Sequence, residues 1–391
     1  MSGSCSIQDV FNRFYHGFEK AHNLSALQRK AAYHIMNCKT GAFGVNVSVC
    51  SGCGCISIHY NSCRDRCCPM CQELPREKWV DARREDILDA PYFHVVFTVP
   101  EELNPVIYSN QKLLYNALYH AASDTLSGLS SDKKYLGADI GYICILHTWG
   151  SAMNFHPHIH AIVLGGGLDS KSQWKDHGED FFLPVKVISK VFRGKYLSEL
   201  KQLWSDKRLA FHGTAKPYKN HDTFKELLDT CYAKEWIPYC KKPFRGAESV
   251  IKYLGKYTHR IAISNYRIKS MTDTEVTFTV KNYKNKGQWT ELTLSGEEFI
   301  RRFLMHVPPK RFVRMRHYGL LASRNKSKKI TLCRNLLGCK KYISRFKDLH
   351  APAIIKLLYN KDVCKCSSCG GNIIPLLPDR YYAKPIPHMR C

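Results

Sequence analysis

The chain has 391 residues, with 59 Lys or Arg against 33 Asp or Glu and a formal net charge of +26. A polyanion relieves that self-repulsion, which puts nucleic acid first among expected partners. With 44% hydrophobic and 12% aromatic residues, the composition excludes a disordered basic tail and predicts more than one packed domain.

No apolar run approaches the ~20 residues of a membrane span. Gln8, Asp9 and Arg13 interrupt what would be a leader's apolar region, so the expectation is a cytoplasmic, nucleoid-associated chain without membrane contact. Its 18 cysteines are then expected to be thiolates or metal ligands rather than disulfides.

The first part of the chain is dominated by cysteine. Cys50-Ser-Gly-Cys53 and Cys68-Pro-Met-Cys71 are two C-x2-C knuckles separated by fourteen residues, close to the spacing of a four-cysteine zinc site, with Gly52, Gly54 and Pro69 supplying tight turns. Cys38, Cys55, Cys63 and Cys67, with His34 and His59 nearby, exceed what one ion takes. The zinc candidates are Cys38, Cys50, Cys53, Cys63, Cys67, Cys68 and Cys71, and which thiols share an ion stays open. A segment with so few large apolar residues draws its folding energy from the metal. Arg64, Arg66, Arg76, Lys78, Arg83 and Arg84 make it a candidate DNA-contacting module.

The middle of the chain reads as mixed α and β. Tyr92 to Val99 is a β-branched and aromatic strand, followed after Asn104-Pro105 by a helix with Leu114, Leu118, Ala121 and Thr125 on one face. Ile140 to Thr148 and His156 to Leu164 read as two further strands pairing as a hairpin, the second stopped by Gly165-Gly166-Gly167. A helix carrying Val191, Phe192, Tyr196, Leu200 and Leu203 follows, then another from about Gly246 to Thr258. Three alternating runs, at 261–268, 275–281 and 288–294, predict a meander, and Ser295 opens a helix with Glu297 and Glu298 in its first turn. From Arg301 to Asn360 there are sixteen Lys or Arg and one acid, Asp348, interleaved with Phe312, Tyr318, Tyr342 and Phe346. That pattern predicts phosphate contact with base stacking. Cys364, Cys366 and Cys369 form a second cysteine group.

Two constellations carry chemistry. His156-Pro-His158-Ile-His160 alternates with period two, so a strand turns the three imidazoles to one face, where two can share a divalent cation and His147 of the preceding strand can add a third ligand. Tyr253 and Tyr257 are four apart on a helical face beside Lys256 and Arg260. Tyr115 and Tyr119 share that spacing, but lie within an apolar helix, and so are the second candidates.

The order of the motifs matters here. A cysteine-rich module, YFHVVFT, HTWGS, HPHIH with GGG, YLGKYTHR, EFIRRFLMHVPPKRF and RHYG together resemble the rolling-circle insertion-sequence transposases, the insertion-sequence-ninety-one type, from about Cys38 to Gly319. The resemblance implies an α+β fold of HUH endonuclease type: a central antiparallel sheet flanked by helices carries the metal-binding histidines His158 and His160, and nucleophilic tyrosines lie on a helix beside it. It implies three regions: 1–85 as a zinc-binding, DNA-contacting domain, 86–310 as a single-strand nuclease domain, and 311–391 as a basic region with a small cysteine cluster. Cys67 stands where the family's pattern has a histidine.

The expected activity is cleavage and rejoining of single-stranded DNA at element ends through a 5′-phosphotyrosine. Tyr253 or Tyr257 is the nucleophile, Lys256 offsets charge, and His158, His160 and His147 hold catalytic Mg or Mn, with Zn structural. Arg64, Arg66, Arg260, Arg301, Arg302, Lys310, Arg311, Arg314 and Arg316 are the expected DNA contacts. A rolling-circle replication initiator or relaxase uses the same chemistry. A non-catalytic zinc-dependent nucleic-acid binder would use the histidines as core instead. Whether His158 and His160 share a cation near a tyrosine hydroxyl separates the last reading from the others.

Overall fold

In the computed structural model the described residues are 5–176, 183–236, 239–244, 249–251, 255, 262–282 and 287–376. Helices α1 (Ile7–Ala21) and α2 (Ala26–Met36) each open on a capping box, Ser6 with Asp9 and Ser25 with Gln28. A hairpin of β1 (Val45–Cys50) and β2 (Ile56–Tyr60) and then α3 (Glu73–Arg84) complete the first part. The middle holds β3 (Tyr92–Thr98), α4 (Asn104–Ser109), α5 (Gln111–Ser131), β4 (Asp139–Trp149), β5 (Phe155–Leu168), β6 (Trp174–Asp176), α6 (Val185–Ser205), α7 (His221–Ala233) and β7 (Tyr239–Phe244). After it come β8 (Ile268–Met271), β9 (Glu275–Asn282), β10 (Gln288–Ser295), α8 (Gly296–Leu304), β11 (Met315–Gly319), α9 (Lys326–Leu337), α10 (Ala351–Tyr359) and β12 (Ile373–Pro375).

The fold is α+β. Its centre is an antiparallel sheet in the order β11-β4-β5-β3-β7, with β6 pairing along the end of β5. Alternation sends Val95, Phe97, Cys144, Leu146, Ile159 and Ala161 to one face, where they pack on Leu118, Ala122, Phe192 and Tyr196 of α5 and α6. The residues between them, including Tyr92, Ile143, Ile145, Ile162 and Leu164, face the other way and pack with Val250, Leu320 and Ile330. Both faces are covered, so the strands read as nearly continuous apolar runs. The few polar side chains on them stand out.

The expected hairpin forms as β4 and β5, with His147 opposite His158. The three glycines do not stop β5, which continues to Leu168. A Cβ on Gly167 would collide with the Asp139 carbonyl, and one on Gly166 with the Trp174 ring, so these glycines let the neighbouring strands approach closely. A meander forms as β10-β9-β8, but its first strand is displaced from the expected run 261–268: that run holds a 3-10 turn at Asn265–Arg267, and β8 starts only at Ile268. Of the helix expected over 246–258, Ser249, Val250, Ile251 and Gly255 are described as helical. Tyr253, Lys256 and Tyr257, and Arg260 beyond them, lie outside the described residues.

Packing crosses both boundaries expected from the sequence. Phe11 and Ile35 of the first two helices share a core cluster with Phe278, Phe299 and Phe303. At the other end, β11 joins the central sheet and β12 pairs with β1.

The interleaved aromatics of the basic region are not a stacking platform. Phe312 and Phe346 are buried, Tyr318 stacks on Tyr142 at 5.3 Å, and the Tyr342 hydroxyl donates to Asp81 Oδ1 at 2.7 Å. Asp81, 2% exposed, also accepts from Ser344 Oγ at 2.6 Å and the Phe346 amide at 3.2 Å. Burial alone raises its carboxyl, but the Ser344, Tyr342 and Phe346 donors outweigh that and hold it below the usual range. Tyr342, Ser344 and the Phe346 amide therefore dock the C-terminal region on α3, while Phe312 packs against Tyr115 of α5 and Tyr318 against β4.

Candidate functional site

Four histidines from three adjacent strands project from the same sheet face as Ile145 and Ile162: His94 from β3, His147 from β4, and His158 and His160 from β5. Nε2 of His158 lies 3.0 Å from Nε2 of His160. One nitrogen from each of His147, His158 and His160 lies within 4.8 Å of the other two. Adjacent ligands about 2.1 Å from an octahedral ion sit about 3.0 Å apart, so this donor set fits a divalent cation.

Supporting bonds orient the rings. His158 Nδ1–H donates to the His156 carbonyl at 2.7 Å, which leaves its Nε2 lone pair facing His160. His160 Nδ1 lies 2.9 Å from His94 Nε2; with His94 as acceptor, the His160 Nε2 lone pair faces inward too. The His147 ring, 4% exposed, stacks on Trp149 at 4.7 Å and meets His160 edge-on at 4.5 Å. Burial, then the neighbouring imidazoles, push His158 down to about 3 and His160 well below its ordinary value, so both are neutral and ligand-competent at pH 7.

The HTWGS segment that ends β4 is fixed from outside the sheet. Thr148 Oγ1 bonds His306 Nδ1 at 3.1 Å, and His306 Nε2–H donates to the Met153 carbonyl at 3.0 Å. Arg302 reaches the Ala152 carbonyl at 3.0 Å and Arg267 the Ser151 carbonyl at 2.6 Å. His306 of the MHVPPKRF motif, with Arg302 and Arg267, thus buttresses the end of β4.

The cysteines separate into two clusters. Cys38, Cys63, Cys68 and Cys71 form one, and Cys50, Cys53, Cys366 and Cys369 the other, with all four sulfurs of each within 4.8 Å of one another. The two knuckles whose spacing suggested a shared site therefore belong to different clusters. The β1–β2 hairpin carries Cys50 and Cys53 away from α2, while the turn before α3 returns Cys68 and Cys71 to it. In the first cluster Gln8 Nε2 holds the Cys38 and Met36 carbonyls, both at 2.9 Å. Asp65 ties the loop together, bonding His34 at 3.0 Å and the Cys67 amide at 2.7 Å. The Cys63–Cys71 sulfur separation of 3.8 Å matches the edge of a tetrahedron with Zn–S of about 2.3 Å. Cys67 is buried but outside both clusters, and Cys55 is exposed.

Several expected DNA-contacting cations have partners within the protein. Arg66 bonds the Phe312 carbonyl at 2.6 Å, and Arg301 and Arg302 pair with Glu298. Arg316 lies 4.0 Å over the Tyr119 ring and bonds Asn116. Arg314 supplies the carbonyl that accepts from Tyr119 Oη. Arg64, Lys310 and Arg311 are exposed. Tyr115 and Tyr119, the second tyrosine pair, are core, with burial raising both phenols well above their ordinary range.

His94 was not singled out from the sequence. Its signal was available in YFHVVFT, where it is the one polar side chain before Thr98, with a parity that becomes meaningful only once β3 pairs with β5.

Comparison with known proteins agrees with this architecture. A family model described as "Putative transposase" matches residues 141–329, and one described as "Transposase zinc-binding domain" matches residues 10–99. The chain is 39% identical over 356 residues to "Putative transposase y4qJ" of Sinorhizobium fredii, covering 88% of this chain and 89% of that relative. It is 26% identical over 363 residues to the "Transposase for insertion sequence element IS801" of Pseudomonas savastanoi pv. phaseolicola, covering 87% and 81%. No solved structure matches. These matches define the chain as a transposase. It belongs to the insertion-sequence-ninety-one type, with an N-terminal zinc-binding domain.

Proposed function

We propose that the chain cleaves and rejoins single-stranded DNA at the ends of its element by tyrosine transesterification, an HUH-type strand transfer of rolling-circle character. The observation that carries this reading is the His158–His160 pair, oriented by His156 and His94 and completed by His147. A divalent ion, Mg or Mn, supplies charge stabilisation at the scissile phosphate when bound there. His147, His158 and His160 would hold it as neutral imidazoles. Tyr253 or Tyr257 then loses its hydroxyl proton and attacks phosphorus, forming a 5′-phosphotyrosine and releasing a 3′-OH. The ester bond is exchanged rather than hydrolysed, so a new 3′-OH rejoins the strand without a nucleotide cofactor. Lys256 offsets charge on the phenolate or phosphate.

The described sequence neighbours of Tyr253 and Tyr257 support this reading. Val250, 1% exposed, packs in the same cluster as Ile145 and Ile162, the residues two positions from His147 and His160 on that face. Gly255 lies against Val80 of α3. The exposed Arg64, Lys310 and Arg311 meet phosphate in this reading, and Cys38, Cys63, Cys68 and Cys71 hold structural zinc.

The test is a denaturing gel of the protein incubated with a labelled single-stranded element end and Mn. Wild type should form a covalent adduct, and His158→Ala or His160→Ala should abolish it while binding persists. Adduct formation undiminished in both variants would remove the histidines from the chemistry.

A further inference from the structure

The second cysteine cluster joins segments more than three hundred positions apart, and its far half lies outside the span matched by the zinc-binding family model. Its two halves are built alike. In each, the first cysteine's amide donates to the carbonyl five residues on, Cys50 to Cys55 at 2.9 Å and Cys366 to Gly371 at 2.8 Å. In each, a glycine amide returns to the first cysteine's carbonyl, Gly54 to Cys50 at 3.0 Å and Gly370 to Cys366 at 2.9 Å. Both glycines adopt the left-handed region, with φ of 69° and 73°. Backbone amides also point at sulfur in both, Gly52 to Cys50 and Gly371 to Cys369, each at 3.4 Å. Amides aimed at a thiolate stabilise its charge.

The halves face one another closely. Cys50 and Cys369 sulfurs are 3.4 Å apart, and Cys53 and Cys366 sulfurs 3.8 Å, close to the ~3.8 Å edge of a zinc–thiolate tetrahedron. A Cβ on Gly371 would lie 2.8 Å from Cys50 Sγ, and one on Gly52 would lie 3.2 Å from Cys369 Sγ. Glycine on each side is what lets the two loops close around one point.

Little apolar packing holds this lobe. Its sheet, β12-β1-β2, exposes Ile56 (66%), Ile58 (55%), Tyr60 (51%) and Ile374 (49%), and no residue of its three strands belongs to a buried core cluster. Three short strands without an apolar core are marginal on their own. The β1–β12 pairing needs another source of free energy, and four convergent thiolates supply one when they bind metal.

We propose that Cys50, Cys53, Cys366 and Cys369 bind a second structural zinc, a staple that fastens the C-terminal end of the chain to the N-terminal zinc-binding domain. The staple closes the basic segment between β11 and β12 into a loop anchored at both ends. It rests on the cysteines alone and stands apart from the strand-transfer reading.

Metal analysis of the full-length protein, purified without chelator, tests it. Wild type should carry two zinc ions per chain. Cys366→Ser with Cys369→Ser should carry one, and Cys364→Ser, which alters an exposed neighbour outside the cluster, should keep two. Because loss of the staple can disturb folding, a ligand-conserving variant provides the second readout. In the cobalt-substituted protein, Cys369→His should shift the visible bands of one ion of the two as one thiolate becomes an imidazole. Two zinc ions retained in the double serine variant would overturn the proposal. So would a cobalt spectrum unmoved by Cys369→His, or an intact mass showing Cys50–Cys369 and Cys53–Cys366 disulfides in place of metal.

Discussion

His94 Nε2 sits 2.9 Å from His160 Nδ1, on the side of that ring away from His158. A partner in this position fixes both the tautomer and the angle of a metal-binding imidazole, and its loss typically costs 10–100-fold in metal affinity. His94→Ala should therefore raise the Mn concentration needed for half-maximal adduct formation about 10-fold or more, with adduct restored at high Mn and DNA binding unchanged. A metal titration curve that does not move would show that His94 is only packed there.

The arginines with internal partners and the exposed cations should behave differently on DNA. Lys310→Ala with Arg311→Ala should flatten the salt dependence of single-strand binding by a log–log slope of about 1.4, the sum of two phosphate contacts. Arg302→Ala, which removes bonds to Glu298 and Ala152, should lower thermal stability and leave that slope in place. A slope change confined to Arg302→Ala would reverse these roles.

Asp81 holds the C-terminal region through Tyr342, Ser344 and the Phe346 amide. Asp81→Ala leaves buried donors without an acceptor, at a cost of about 3 kcal/mol. Urea unfolding measures that loss, and limited proteolysis should show earlier cleavage within 338–350. Wild-type stability in the variant would mean that the docking is held elsewhere.

Acid should loosen the support behind the histidine strands. Burial, with Arg301 adding to it, pushes His306 down to about 4, against about 6.5 in the unfolded chain. The unfolded state thus binds more protons between those values. The contribution is full above about pH 6.5 and is lost as pH falls towards 4, by about 3 kcal/mol in all for a group depressed to about 4. His306→Gln should flatten the stability profile by about one proton across that window. An equally steep profile in the variant would assign the acid sensitivity to other groups.

Much of this was legible beforehand because it rests on local pattern. Apolar, β-branched and aromatic runs placed β3, β4 and β5, and the H-x-H-x-H run announced its own face. Ser295 announced α8. What stayed hidden depended on distant pairing. The two C-x2-C knuckles looked like partners because they are near in sequence, yet Cys50 and Cys53 meet Cys366 and Cys369 only because β12 pairs with β1. Phe312, Tyr342 and Phe346 looked like a stacking surface because nothing local shows that Asp81 and the core receive them. The glycine triplet read as a stop because the close approach of Asp139 and Trp174 is not written in its own neighbourhood.

The zinc assignment has its own control. Cys68→Ser should lose one zinc equivalent and destabilise the N-terminal helices, since one missing thiolate opens the tetrahedral shell. Cys67→Ser, one position away and outside both clusters, should keep full metal content. Zinc loss in Cys67→Ser with none in Cys68→Ser would exchange the two.

The central claim is that a tyrosine of the Tyr253–Tyr257 pair becomes joined to DNA beside the histidine cluster. Its most direct test is peptide mapping of the covalent adduct formed by wild type on a single-stranded element end, together with the Tyr253→Phe, Tyr257→Phe double variant. The account predicts phosphotyrosine-linked DNA at Tyr253 or Tyr257, none in the double variant, and retained DNA binding by both proteins. An adduct of undiminished yield in the double variant, or one mapped to any other residue, would contradict it.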